Sequence, residues 1–167
     1  IDLVENFDSV ALHGYTSAQG DAEVRETIAN YVNGKFGTKL TANHIYMTCG
    51  AASSLTIVLN AIMLPGEECI VFTPYFPEYG VFLERTGAKL VAVESAEKTF
   101  QIDVDKFEKA ITENTKAVIV NSPNNPSGVV HSVDIIEKMC DILKRKQEEY
   151  GHPIFVITDE PYRELVY

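Results

Sequence analysis

The feature that most constrains this chain is an alternation of two patterns. Short apolar runs at residues 45–48, 69–73, 89–93, 117–121 and 154–158 are separated by stretches with helical periodicity. In these runs the apolar residues are successive rather than every second one, although the 89–93 run starts on the polar Lys89. Such runs suit strands covered on both faces, as in a parallel sheet.

Between most of the runs the period changes from strand to helix. Val24, Ile28, Val32 and Phe36 recur every fourth residue and share one helical face. Leu55, Leu59 and Ile62 do the same before Pro65-Gly66, which ends the pattern. A shorter helix is expected over 104–112, with Phe107 and Ile111 facing inward. Ser132 is placed to cap a longer helix carrying Ile135, Ile136, Met139 and Leu143, with Gly151 just past its end. Strand–helix alternation of this kind implies right-handed crossovers and a doubly wound, mostly parallel α/β sheet. We read residues 1–167 as one domain: a lead-in and first helix to about residue 40, then alternating strands and helices over 41–167.

Composition limits the function classes. With 46 % apolar and 23 % charged residues in 167, the chain has the balance of a soluble globular protein, and no apolar run approaches the roughly 18 residues of a membrane span. A formal charge of −10, from 14 basic and 24 acidic side chains, argues against nucleic acid or an anionic membrane as partner. An anionic small ligand stays possible, because a phosphate site needs only local backbone donors and a dipole. The one basic cluster, Lys144, Arg145 and Lys146, reads as the solvated end of a helix, where positive charge suits the dipole. Cys49, Cys69 and Cys140 are odd in number and lack C-x-x-C spacing, so neither a disulfide framework nor a zinc site is expected, and a reducing, cytoplasmic location is. Residues 1–10 show no signal peptide, and the absence of an initiating Met suggests a processed or cut N-terminus.

The unusual residues fall where such a sheet binds ligands, just past the carboxyl ends of its strands. Cys49-Gly50-Ala51-Ala52-Ser53 follows the first run and Pro74-Tyr75-Phe76-Pro77 the second. Asn121-Ser122-Pro123-Asn124-Asn125-Pro126-Ser127-Gly128 closes the 117–121 run, and Asp159-Glu160-Pro161-Tyr162 follows the last. Each has an ordinary reading beside a functional one. Gly50-Ala51-Ala52 is a tight turn, or small residues that let a phosphate reach the backbone N–H groups of a helix start. It is neither a Walker loop nor a dinucleotide fingerprint, since both glycine patterns are absent. Phe76 is core, or a flat wall for a heteroaromatic ring. Asn124-Asn125-Pro126 is a turn, or an amide aimed at a ligand oxygen. Asp159 caps a helix, or pairs with a protonated ring nitrogen; a carboxylate ending an apolar strand is costly without such a partner. Tyr162, three residues on, can offer its hydroxyl to the same ligand.

As a set these motifs resemble fold-type I pyridoxal-phosphate (PLP)-dependent aminotransferases of the aspartate aminotransferase branch, class I/II, from His13-Gly14-Tyr15 to Glu164. The resemblance implies part of the large PLP-binding domain of such an enzyme. It implies a phosphate cradle at Gly50, Ala51 and Ala52, ring stacking on Phe76, and Asn125 with Tyr162 on the phenolic O3′. It implies Asp159 on the pyridine nitrogen, where an ionised carboxylate favours the electron-withdrawing pyridinium. It implies that Tyr15 reaches the cofactor phosphate of a neighbouring subunit, hence a homodimer in the complete protein.

The same resemblance implies that the Schiff-base lysine and the arginine for the substrate carboxylate lie beyond Tyr167, so the 167 residues alone are expected not to transaminate. Two strands of the family's sheet are expected from outside the chain as well, which predicts open strand edges and self-association of this piece. Three readings stay open: an aminotransferase acting on an amino acid (aspartate or similar) and a 2-oxo acid; a PLP-holding piece without turnover; and a folded piece without a ligand. Other fold-type I enzymes, such as C–S lyases, share much of this half.

Overall fold

The computed structural model describes residues 13–166, so the expectation for residues 1–10 lies outside the described residues. The chain divides into two compact units, Ile1–Gly50 and Ala51–Tyr167.

The first unit is built on helix α1 (Ala22–Phe36), followed by a single 3-10 turn at Ala42–His44. Asp21 caps α1, its carboxylate accepting from the N–H groups of Glu23 (2.9 Å) and Val24 (3.0 Å). Gly37 closes it in the left-handed conformation (φ 66°), a conformation that costs a residue with a Cβ more than it costs glycine. The expected apolar face is only half covered within this unit: Ile28 and Val32 are half-buried, whereas Val24 and Phe36 are exposed. The buried positions are Ala29 and Arg25. The Arg25 guanidinium is satisfied by the carbonyls of Gly20 (3.2 Å) and Ala42 (2.6 Å).

The expectation of a strand over 45–48 needs correcting. Ile45 is extended (φ −110°, ψ 131°), but the segment joins no ladder among the described residues. Its backbone donor at Met47 goes to the Gln19 carbonyl (3.0 Å) instead. Apolar β-prone residues supply the conformation; a strand also needs a neighbour.

The second unit is the doubly wound part. Helix α2 (Ala51–Ile62) leads into β1 (Glu68–Thr73), α3 (Glu78–Glu84), β2 (Lys89–Glu94), α4 (Val104–Ala110), β3 (Thr115–Asn121), α5 (Val133–Tyr150) and β4 (Phe155–Asp159). The four strands are all parallel, in the order β2-β1-β3-β4. Period-2 alternation along β1 sorts the two cores. Cys69 and Val71 pack with Leu55 and Leu59 of α2 and Leu83 of α3; Ile70 and Phe72 pack on the other face with Phe107 of α4 and Met139 and Leu143 of α5. Burial pushes the Cys69 thiol up to about 12, so it stays a thiol and behaves as a small apolar side chain.

The two-faced burial inferred for every run holds for β1 and β3. It does not hold for the two outer strands: in β2 only Val93 is buried, and in β4 Phe155 (40 %) and Val156 (43 %) are exposed. Helix α3 is an element that the sequence reading did not identify; it is seven residues long and starts directly after Pro77. Ser132 does stand at the N-cap of α5, without a side-chain capping bond, and Gly151 (φ 73°) ends the helix by donating its N–H to Gln147 (2.9 Å). The basic cluster is not at the helix end, since the last turn of α5 holds no basic residue. Its members instead pair with carboxylates: Lys144 with Asp141 (3.4 Å), Arg145 with Glu108 (2.8 Å) and Lys146 with Glu149 (2.7 Å). Among the described residues no helix is long and apolar enough to cross a membrane.

Phe107 is fully buried (0 % exposed), its ring 5.5 Å from that of Phe72. Phe107→Ala should therefore cost about 3–5 kcal/mol of unfolding free energy. Chemical denaturation measures this, and a loss under about 1 kcal/mol would show that α4 is not anchored through this side chain.

Candidate active site

The order β2-β1-β3-β4 reverses direction between β1 and β3: the chain moves outward to β2, then crosses back over β1 to reach β3. A crevice opens at the carboxyl ends of strands at such a reversal. Four segments of the second unit line the cleft found there. The start of α2 supplies Ala51 and Ala52, the loop after β1 supplies Phe76, the end of β3 and its loop supply Asn121 and Asn125, and the end of β4 supplies Asp159 and Tyr162. The cleft is about 190 Å³, room for one substituted ring rather than an extended dinucleotide.

The ladder register brings the polar groups together. Asn121 and Asp159 are direct partners across β3 and β4. The Asn121 side-chain amide donates to the Asp159 main-chain carbonyl (2.7 Å), and its oxygen accepts from the Asn125 N–H (2.6 Å). Both ends of a buried amide (5 % exposed) are thus used to hold the two loops against each other. Asn121 was not identified as a site residue from sequence; its place at the end of an apolar strand, in line with the motif that follows, was the available signal.

The Asn-Asn-Pro motif divides its labour. Asn124 builds the turn, its side-chain oxygen accepting from the N–H (3.1 Å) and hydroxyl (2.8 Å) of Ser127 while its carbonyl accepts from Gly128 N–H (2.8 Å). Asn125 is left to line the cleft, and its amide lies 3.5 Å from the Tyr162 hydroxyl, to which it donates. The turn reading applies to Asn124, and Asn125 is the asparagine that lines the cleft.

Asp159 is half-buried at the mouth of β4. Its Oδ2 accepts from the Tyr79 hydroxyl at 2.6 Å, and Oδ1 takes no hydrogen bond among the described residues. Burial first, and then the Asp159 bond and charge, push the Tyr79 phenol far above its ordinary range, so it remains a donor at any working pH. Tyr79 also escaped the sequence reading, because helix α3 that carries it was not expected. Its ring meets Phe76 edge-on, with centroids 5.7 Å apart.

The cleft offers the Asp159 carboxylate, an aromatic wall at Phe76, an amide–hydroxyl pair at Asn125 and Tyr162, and a helix start bearing two small side chains, with Glu78 also in its lining. No lysine lines the cleft among the described residues. Gly50, in the first unit, has φ 87°, with its N–H on the Thr48 carbonyl (2.9 Å); Tyr15, in the same unit, is fully exposed.

The comparisons with known proteins agree with this architecture. Residues 3–167 match the family model for aminotransferase class I and II. The chain is similar to an amino transferase from Eubacterium rectale, whose crystal structure superposes with a TM-score of 0.92 at 53 % identity over 99 % of this chain and 42 % of that one. It is 32 % identical to the aspartate/prephenate aminotransferase of Thermus thermophilus and 32 % identical to the aspartate aminotransferase of Sulfolobus acidocaldarius. Each alignment covers 92 % of this chain and 38 % of the relative. The chain therefore spans about two fifths of the length of the proteins it matches, and its family is clear: it belongs to the class I and II aminotransferases.

Proposed function

We propose that these 167 residues are part of the cofactor-binding domain of a PLP-dependent aminotransferase that moves an amino group between an amino acid and a 2-oxo acid. The observation that carries this reading is the cleft in which Asp159, Asn125, Tyr162 and Phe76 meet at the start of α2. Aspartate or a close analogue is the proposed amino acid, in keeping with the names of the Thermus and Sulfolobus relatives.

In this reading the first N–H groups of α2 at Ala51 and Ala52 hold the phosphate, with the helix dipole favouring its charge. Gly50, the residue before them in sequence, is proposed for the same cradle from the family resemblance alone. Phe76 covers one ring face and excludes water from it. Asn125 and Tyr162 would hold the phenolic oxygen. Asp159 would hold the ring nitrogen, its charge favouring the protonated form. The bound cofactor supplies a ring that withdraws electrons from the reacting carbon.

Tyr15 is proposed to reach the phosphate in a neighbouring subunit of a homodimer. The lysine that joins the cofactor covalently, and the arginine that holds the substrate carboxylate, are proposed to come from outside these 167 residues. With no lysine lining the cleft among the described residues, the reading for this chain alone is PLP binding without turnover.

Two substitutions in the whole enzyme test the assignment. Asp159→Asn keeps the shape but removes the charge, and should lower kcat by about 10²–10³ while changing cofactor affinity far less. Unchanged kcat in steady-state assays would remove Asp159 from the ring nitrogen. Phe76→Ala should weaken PLP binding several-fold, since stacking adds about 0.5–1.5 kcal/mol beyond buried area. An unaltered cofactor dissociation constant would return Phe76 to the core.

A further inference from the structure

We propose that Tyr79 is the positioning residue of this site: by holding Oδ2 of Asp159 and bracing Phe76 with the same side chain, it fixes the carboxylate and the ring wall relative to each other. The inference rests on the cofactor reading above, because it concerns the group that Asp159 and Phe76 face.

The geometry sets the argument. Tyr79 is 1 % exposed, so its hydroxyl has no water to turn to and needs a partner inside the protein. It finds that partner 80 residues away, at the end of β4, at 2.6 Å. By taking a carboxylate oxygen on another element, this phenol joins α3 to β4. One carboxylate oxygen is thereby fixed, which limits rotation of the whole group. From the opposite side, Asn121 holds the Asp159 main chain (2.7 Å), so both the side chain and the backbone of this residue are anchored by buried groups. The Tyr79 ring meanwhile packs edge-on to Phe76, at a centroid separation of 5.7 Å.

A ring between Phe76 and Asp159 must satisfy two demands at once. Its plane would be set by the wall, and its nitrogen would have to meet the Asp159 carboxylate. Tyr79 touches the two lining residues that impose both demands and is not itself among the residues that line the cleft. It thus acts through its neighbours, and misplacement on the order of 1 Å at such a site can cost about a hundredfold in rate.

Tyr79→Phe in the PLP-loaded whole enzyme is the test, because it deletes the hydroxyl and keeps the ring against Phe76. We expect a melting temperature lowered by a few degrees at most, with the fold retained, and a substrate KM within about twofold of the parent, since uniform binding is untouched. We expect kcat to fall about 10- to 100-fold, the range for a hydrogen bond to a charged group, with an altered absorption spectrum of the bound cofactor. A double-mutant cycle supplies a second readout independent of turnover. In an Asp159→Asn background, Tyr79→Phe should change the PLP dissociation constant by much less than it does alone, because the two side chains act as one unit. Parent-like kcat and spectrum in Tyr79→Phe, or strictly additive effects on PLP binding, would overturn the proposal and leave the cofactor reading standing. A parent enzyme that holds no PLP would remove both.

Discussion

Burial of β1 and β3 on both faces is the constraint on which the second unit depends. A strand covered on two sides needs helices above and below it, and parallel neighbours joined by crossovers are the arrangement that provides them. The alternation of Cys69 and Val71 toward α2 and α3, and of Ile70 and Phe72 toward α4 and α5, is that constraint written in side chains. Once the two central strands are fixed, their carboxyl ends lie side by side at the point where the strand order reverses. The cleft is therefore a consequence of the winding, and the residues that follow each strand are delivered to it without further folding instructions.

What those residues do there is an electrostatic matter. The chain carries a net charge of −10, yet the start of α2 offers backbone donors and the favourable end of a dipole. A local donor site inside an acidic protein is consistent, because exposed charges beyond a Debye length of about 8–10 Å are screened. Asp159 is the opposite case. A carboxylate ending an apolar strand needs compensation, and it receives a phenol on one oxygen, while an amide holds its main chain.

Much of this was legible in the sequence for a physical reason. Phe76, Asn125, Asp159 and Tyr162 sit in motifs with prolines and asparagines that interrupt apolar runs, and turn chemistry of that kind marks where strands end. The α/β class, strands β1 to β4 and helices α1, α2, α4 and α5 follow from periodicity, which short-range spacing reveals. The failures share a cause as well. Residues 45–48 have strand-like composition, but pairing is a relation to a neighbour that composition does not contain. Helix α3 is seven residues long and offers too few turns for a period to show. Tyr79 and Asn121 were missed because their importance comes from partners: one is 80 residues from Asp159 in sequence, and the other meets it through ladder register. Val156 reads as core in sequence and is exposed in β4, since hydropathy alone does not say which strand lies at an edge.

The central claim is that this cleft holds PLP by non-covalent anchors. Titration of the 167-residue chain with PLP, followed by borohydride reduction and an intact-mass measurement, tests it most directly. The account predicts saturable one-site binding that inorganic phosphate competes away, with no stoichiometric covalent adduct after reduction. Absence of saturable binding would contradict the cleft as a cofactor site, and a single reduced lysine at full occupancy would contradict the non-covalent account of how this chain holds its ligand.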